Sequence, residues 1–143
     1  MSKMEVLSTE RQSRDEQALA VHLAAENNHD VDEIMATFAE NAVLIVNGQI
    51  FNTHEAIRAF YTTLGFSNQG AFSELQSQIS RKFYTGDTFI LEGTLTGRHT
   101  GDFNGIASTL KTIEAYFCAI YQFNEEGKLY SERVYFNTGE LLK

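Results

Sequence analysis

The stretch LQSQISRKFYTGDTFILEGTLTGRH, residues 75–99, decides the fold class. In its second half Phe89, Leu91 and Leu95 share one parity, while Glu92, Thr94, Thr96 and Arg98 occupy the other. That period of two puts successive side chains on opposite faces of a strand. Thr85-Gly86-Asp87 reads as the turn between two strands, Leu75 to Tyr84 and Thr88 to His99. Phe72, Leu75, Gln76 and Ile79 would also suit one face of a short helix, but the turn and the alternation that follow favour a strand.

Toward the C-terminus the same texture continues. Arg98 to Gly105 forms a glycine-bearing loop, and Thr112 to Asn124 and Leu129 to Asn137 make another strand pair around Glu125-Glu126-Gly127-Lys128. Toward the N-terminus the period lengthens. Ile57, Phe60, Tyr61 and Leu64 are spaced as one helix face, with Thr53 as a cap and Gly65 as a stop. Ala42 to Val46, the turn dipeptide Asn47-Gly48 and Gln49-Ile50-Phe51 predict a hairpin. Val31, Ile34, Met35 and Phe38 predict a second helix opened by Asp30 and Glu33, which are spaced as a capping box. Ala18, Val21, His22 and Ala25, widened by Leu19 and Leu23, predict the first helix, starting between residues 10 and 15. Residues 1–10 read as a flexible N-terminal arm and 11–143 as a single domain. Helices first and a long antiparallel meander after them is an α+β order, and no segment repeats.

Composition narrows the function. A chain of 143 residues, 43% of them hydrophobic, can bury one sizeable core. The net charge of −8, with no local Lys/Arg cluster, argues against nucleic acid and anionic lipid as partners. No apolar run approaches the roughly 20 residues of a membrane helix, and no secretory signal is visible, so no membrane association and a cytoplasmic location are expected. The one cysteine, Cys118, reads as a buried, inert thiol among Tyr116, Phe117, Ala119 and Ile120. Eleven Phe and six Tyr supply flat apolar surface for a core or for a pocket wall. There is no dinucleotide fingerprint, phosphate-binding P-loop or nucleophile-elbow motif.

Four segments, in their order and spacing, resemble the SnoaL-like polyketide cyclase branch of the nuclear transport factor two-like superfamily. They are Glu26 to Asp32, His54 to Arg58, Leu95 to Gly105 and Glu125 to Leu129. The resemblance covers roughly residues 12–140. It implies a cone-like curved antiparallel sheet whose concave side and three N-terminal helices enclose a pocket, and a homodimer formed through the outer face of the sheet.

Two residues are the first candidates for chemistry. His99 is in phase with Phe89, Leu91 and Leu95, so a titratable imidazole joins an apolar face. The resemblance adds that Gly97-Arg98-His99-Thr100-Gly101 matches a loop whose histidine is commonly a pocket residue in the cyclases. The structural reading is a loop histidine bonded to the following turn. Glu114 shares a face with Tyr116, Cys118 and Ile120, so its carboxylate is expected to look into the same apolar surroundings, where desolvation raises its pKa and suits it to acid/base work. The related cyclases carry an aspartate on this strand, whereas an exposed strand-end glutamate is the plain alternative. His22, Tyr61, Tyr116 and Tyr135 are candidate substrate-binding groups, with core packing as the competing reading for His22, Tyr61 and Tyr135. His29 and His54 have no partners at metal-ligand spacing, so no metal and no cofactor are expected.

These readings point to a protein that binds a small apolar molecule. One function is a cofactor-independent cyclase or isomerase moving a proton on a carbonyl substrate, with dehydratase chemistry as a variant. The other is a non-catalytic binding or dimeric interaction module.

Overall fold

In the computed structural model, which describes residues 3–141, α1 (Lys3–Asn27), α2 (Val31–Ala36) and α3 (His54–Leu64) accompany a single sheet of six strands. The strands are β1 (Phe38–Val46), β2 (Gln49–Phe51), β3 (Phe72–Thr85), β4 (Thr88–His99), β5 (Thr112–Phe123) and β6 (Leu129–Phe136), and α4 (Thr138–Leu141) closes the chain. Their spatial order is β2-β1-β6-β5-β4-β3. The molecule is an α+β fold with a curved sheet and helices packed on its concave side.

The local signals act as their chemistry requires. The Asp30 carboxylate accepts the Glu33 N–H at 3.1 Å and starts α2, and the Thr53 hydroxyl accepts the Ala56 N–H at 3.0 Å and starts α3. Asn47 and Gly48 both have positive φ, 48° and 86°, the backbone that lets a two-residue turn match the twist of its strands. At Gly65, φ is +134° and an added Cβ would lie 1.9 Å from the Phe72 carbonyl oxygen. Only glycine fits where α3 turns toward β3.

Four expectations are corrected. The first helix begins at Lys3 instead of between residues 10 and 15. Its opening turns contain Met, Glu, Leu, Gln and Arg and no Gly or Pro, so helix propensity carries the segment without an apolar stripe. Residues 1 and 2 of the expected arm lie outside the described residues. Phe38 does not end α2; it opens β1, because the Thr37 backbone N–H closes that helix onto Ile34 at 3.1 Å. The sheet is mixed rather than wholly antiparallel, since β1 runs parallel to β6 with Leu44 opposite Glu132. Cys118 is half-buried and shares the outer-face parity of Tyr116.

Register decides which side chains face inward. On β4, Phe89, Leu91 and His99 are buried; on β5, Ile113, Ala115, Ala119, Tyr121 and Phe123 are buried. The parity of Glu114 and Tyr116 therefore points to the convex side. On β6, Glu132 is buried and stands opposite Tyr121. Among the described residues no helix is long and apolar enough to cross a membrane.

Candidate functional site

Two strands and two helices converge on a buried polar cluster in an otherwise apolar interior. α1 supplies His22 and, one turn later on the same face, Glu26; α3 supplies Tyr61; β5 supplies Tyr121 and β6 supplies Glu132. All five are buried. The His22 ring sits edge-on to Phe38, Tyr61 and Tyr121, with centroids 5.5, 6.3 and 5.7 Å away.

Hydrogen-bond accounting sets the state of the imidazole. The Thr37 hydroxyl donates to the Ile34 carbonyl at 2.6 Å, so at 2.7 Å from His22 Nδ1 it accepts, and Nδ1 carries a proton. The other nitrogen, Nε2, lies 2.9 Å from Glu132 Oε1 and 3.3 Å from Glu26 Oε2. Three acceptors cannot share so small a dry space without a cation between them, and a second proton on His22 supplies it. Burial alone lowers the His22 pKa, but the nearby negative charges of Glu26 and Glu132 outweigh it and raise the value from 6.5 to about 10. Glu132 moves up as well. Desolvation is the largest cause and Glu26 adds to it, against the opposing pull of His22 and the Tyr61 hydrogen bond.

The hydroxyls divide the remaining work. Tyr61 donates to Glu132 Oε2 at 2.8 Å. Burial first, then the negative charge of Glu132 and Glu26, holds both Tyr61 and Tyr121 well above 10, so both remain donors. His22 Nε2 and Glu132 Oε1 are in contact but not aligned as a hydrogen bond, and each keeps capacity for a third group. Glu132, Glu26, Tyr61 and Tyr121 line one end of a cavity of about 550 Å³ of atom-free space, which includes its opening to solvent. Phe66, Leu95, Phe117 and Val134 supply apolar walls. The ligand atoms of His22, Glu26 and Glu132 also lie within 4.8 Å of one another, a span that a divalent cation can bridge.

The candidates from the sequence separate. His22 and Tyr61 belong to the cluster. His99 is buried as its strand phase predicts, but Nδ1 accepts the Thr109 backbone N–H at 3.2 Å and lies 2.9 Å from the Thr109 hydroxyl. Its ring stacks at a tilt on Phe72, 5.3 Å between centroids. It anchors the loop between β4 and β5 and does not line the cavity. Glu114 is exposed on the convex face, as are Tyr116, at 72% exposure, and Tyr135, at 46%. The sheet therefore places Glu114 away from His99, and the expected convergence of those two on one space does not form. The reason is parity: both faces of β5 carry apolar residues, and the concave side takes the odd-numbered set. His29 and His54 bond to backbone, at Leu75 O and Ala39 O, each at 2.7 Å.

Glu26, Tyr121 and Glu132 were not singled out by sequence reading, although signals existed. Glu26 stands i+4 from His22 on the helix face, and Glu132 is in phase with Val134 and Phe136 on the last strand.

A curved sheet with helices packed on its concave side is the fold of the nuclear transport factor two-like superfamily. The model of the SnoaL-like domain matches residues 20–132, and the chain belongs to that family. Among solved structures, a putative polyketide cyclase from Xanthomonas campestris pv. campestris superposes with a TM-score of 0.80 at 18% identity, over 91% of this chain and 95% of that one. An LEH-like epoxide hydrolase from M. tuberculosis gives 0.69 at 16% identity, over 91% and 87%. The epoxide hydrolase/cyclase-like enzyme SalBIII, described in pyran ring formation in the polyether salinomycin, gives 0.74 at 18% identity, over 90% and 95%. At these identities the likeness shows the fold alone. No functionally curated protein matches the chain.

Proposed function

We propose that this protein is a cofactor-independent acid/base enzyme of the cyclase or isomerase kind, acting on a largely apolar substrate that carries a carbonyl oxygen. The observation that carries the reading is Glu132: a buried carboxylate with a raised pKa, one oxygen held by Tyr61 and the other beside His22 at the cavity wall. Such a group is a stronger base near neutrality than an exposed glutamate. Glu132 takes a proton from the carbon next to the carbonyl. The resulting enolate oxygen accepts a hydrogen bond from the Tyr121 hydroxyl, whose residue pairs with Glu132 across the two strands. The imidazolium of His22 balances the charge on Glu132 before the transfer, and Glu26 keeps that imidazolium charged. For ring closure the enolate carbon attacks a second carbonyl carbon of the same substrate, whose C–O π bond opens onto its oxygen, and that oxygen takes the proton from Glu132; for isomerisation Glu132 returns the proton to another carbon of the enolate system. A cavity built only to bind would gain nothing from three ionisable groups whose desolvation costs stability, which favours this reading over a binding module. The kinship of the fold with proteins described as cyclases supports the same direction.

The test uses a bicyclic ketone as a surrogate. With 2-tetralone in D₂O, proton NMR follows exchange of the acidic ring C–H. Wild-type protein is expected to accelerate exchange over buffer, and Glu132→Gln to lose about 10²- to 10⁴-fold of that acceleration. Exchange at the buffer rate with wild type, or undiminished exchange with Glu132→Gln, would sink the proposal.

A further inference from the structure

A second concavity adjoins the cavity and bears on what the substrate looks like, an inference that rests on the catalytic reading only for the position of the reacting end. It lies between the β1–β2 turn, α3, the 102–104 loop and the start of α4, with about 1090 Å³ of atom-free space, open to solvent. Phe60, Leu64 and Phe136 border both spaces. The inner one is walled mainly by apolar side chains, whereas the outer one adds Asn47, Gln49, Thr63, Asp102 and Asn104. The Asn47 side-chain oxygen accepts the Phe136 N–H at 3.0 Å, which leaves its amide N–H groups to serve as donors. Asp102 accepts the Gly105 N–H at 3.0 Å and retains acceptor capacity.

Charge narrows the class further. Among the described residues no lysine or arginine lines either space, while Glu26 and Glu132 line the inner one and Asp102 the outer one. With a chain charge of −8 behind them, an anionic group entering either space meets carboxylates, and the cation nearest the inner space, His22, is already shared by Glu26 and Glu132.

We propose that Phe60, Leu64 and Phe136 form a gate between the two spaces and that the substrate spans it: an apolar ring body against the Glu132 end, joined to an uncharged, hydroxyl- or amide-rich end held in the outer space. Recognition at the outer end comes from short polar side chains that both donate and accept, a set suited to sugar-like or polyol hydroxyls. Acids and phosphates are excluded at both ends.

Three probes sharing one ring system test this on the intact protein, through the fluorescence of naphthalene at pH 7: 2-naphthol, 2-naphthyl β-D-glucoside and 2-naphthyl phosphate. The glucoside is expected to bind roughly tenfold tighter than 2-naphthol, the gain of one or two net hydrogen bonds, and the phosphate at least about tenfold weaker than the glucoside. Ala59, an exposed residue of α3 that borders only the outer space, gives a variant that spares the core. Ala59→Trp should fill that space and abolish the advantage of the glucoside while leaving 2-naphthol binding within about twofold of wild type. Equal affinity for glucoside and 2-naphthol, no binding of the glucoside, or a glucoside advantage that survives Ala59→Trp means that the three shared residues are a partition and overturns the proposal. Phosphate binding as tight as the glucoside overturns its charge argument. Because affinity is read without turnover, and Glu132→Gln keeps the outer space intact, failure of the exchange experiment and failure of this one are separate results.

Discussion

His22 ties the pH dependence of the molecule to one side chain. Its pKa rises from 6.5 to about 10 on folding, so across that interval the folded chain holds a proton that the unfolded chain has released. The stabilisation is fully present below pH 6.5 and is lost as pH climbs toward 10. Glu132, also raised, acts with the same sign from 4.5 upward. Thermal melts from pH 6 to 10 should therefore show a falling Tm, and His22→Asn should flatten that slope; an unchanged slope in the variant would remove His22 as its source. Tyr61 makes a second case. Tyr61→Phe leaves Glu132 Oε2 buried without its 2.8 Å donor, a loss of about 1–3 kcal/mol in urea denaturation. A variant within about 0.5 kcal/mol of wild type, the usual span for a substitution that disturbs no buried partner, would mean that the hydrogen bond is not formed in solution. At this scale the sequence was half legible. The helical stripes exposed His22 and Tyr61, and alternation placed His99 inward. Partners could not be read: Thr109 reaches His99 from across a loop, and Glu132 reaches His22 from 110 residues along the chain.

Elements were legible where one local interaction decides them. The Asp30 and Thr53 caps, the Asn47-Gly48 turn and the Gly65 stop all work through contacts within a few residues. Gly65 also makes a long-range demand, because a Cβ there collides with the Phe72 carbonyl where β3 begins. Gly65→Ala should destabilise by about 1–3 kcal/mol for the strained φ alone, and by more for the collision, measured as a lowered urea midpoint with an unchanged m-value. A change under about 0.5 kcal/mol would show that the chain relaxes freely there. The parallel pairing of β1 with β6 was not legible, because it joins segments some 90 residues apart and rests on no turn. The inward parity of β5 was not legible either. Ile113, Ala115, Phe117 and Ala119 compete with Tyr116, Cys118 and Ile120 for the core, and only the helices on the concave side choose between them.

That choice leaves a consequence for the whole molecule. The convex face of the sheet carries Tyr116, 72% exposed, and Tyr135, 46% exposed, beside the half-buried Cys118 and Ile120. Tyr135 stands opposite Cys118 across β5 and β6, so these side chains form one continuous apolar band. Bands of this kind on a central strand mark a surface that something covers, and the sheet-mediated homodimer implied by the family resemblance is the occupant we propose. A symmetric pairing buries the same patch on both copies, and a stable one needs about 800 Å² from each. Tyr116 sits in the middle of β5 and would lie near the centre of that patch, where a single charge has its largest effect. Sedimentation equilibrium should give twice the chain mass of 16.1 kDa for wild type. Tyr116→Glu should shift it to the monomer, with the helical circular dichroism retained, because Tyr116 makes no contribution to the concave core. A wild-type monomer across the micromolar range would withdraw the dimer and leave the apolar band open to a different partner.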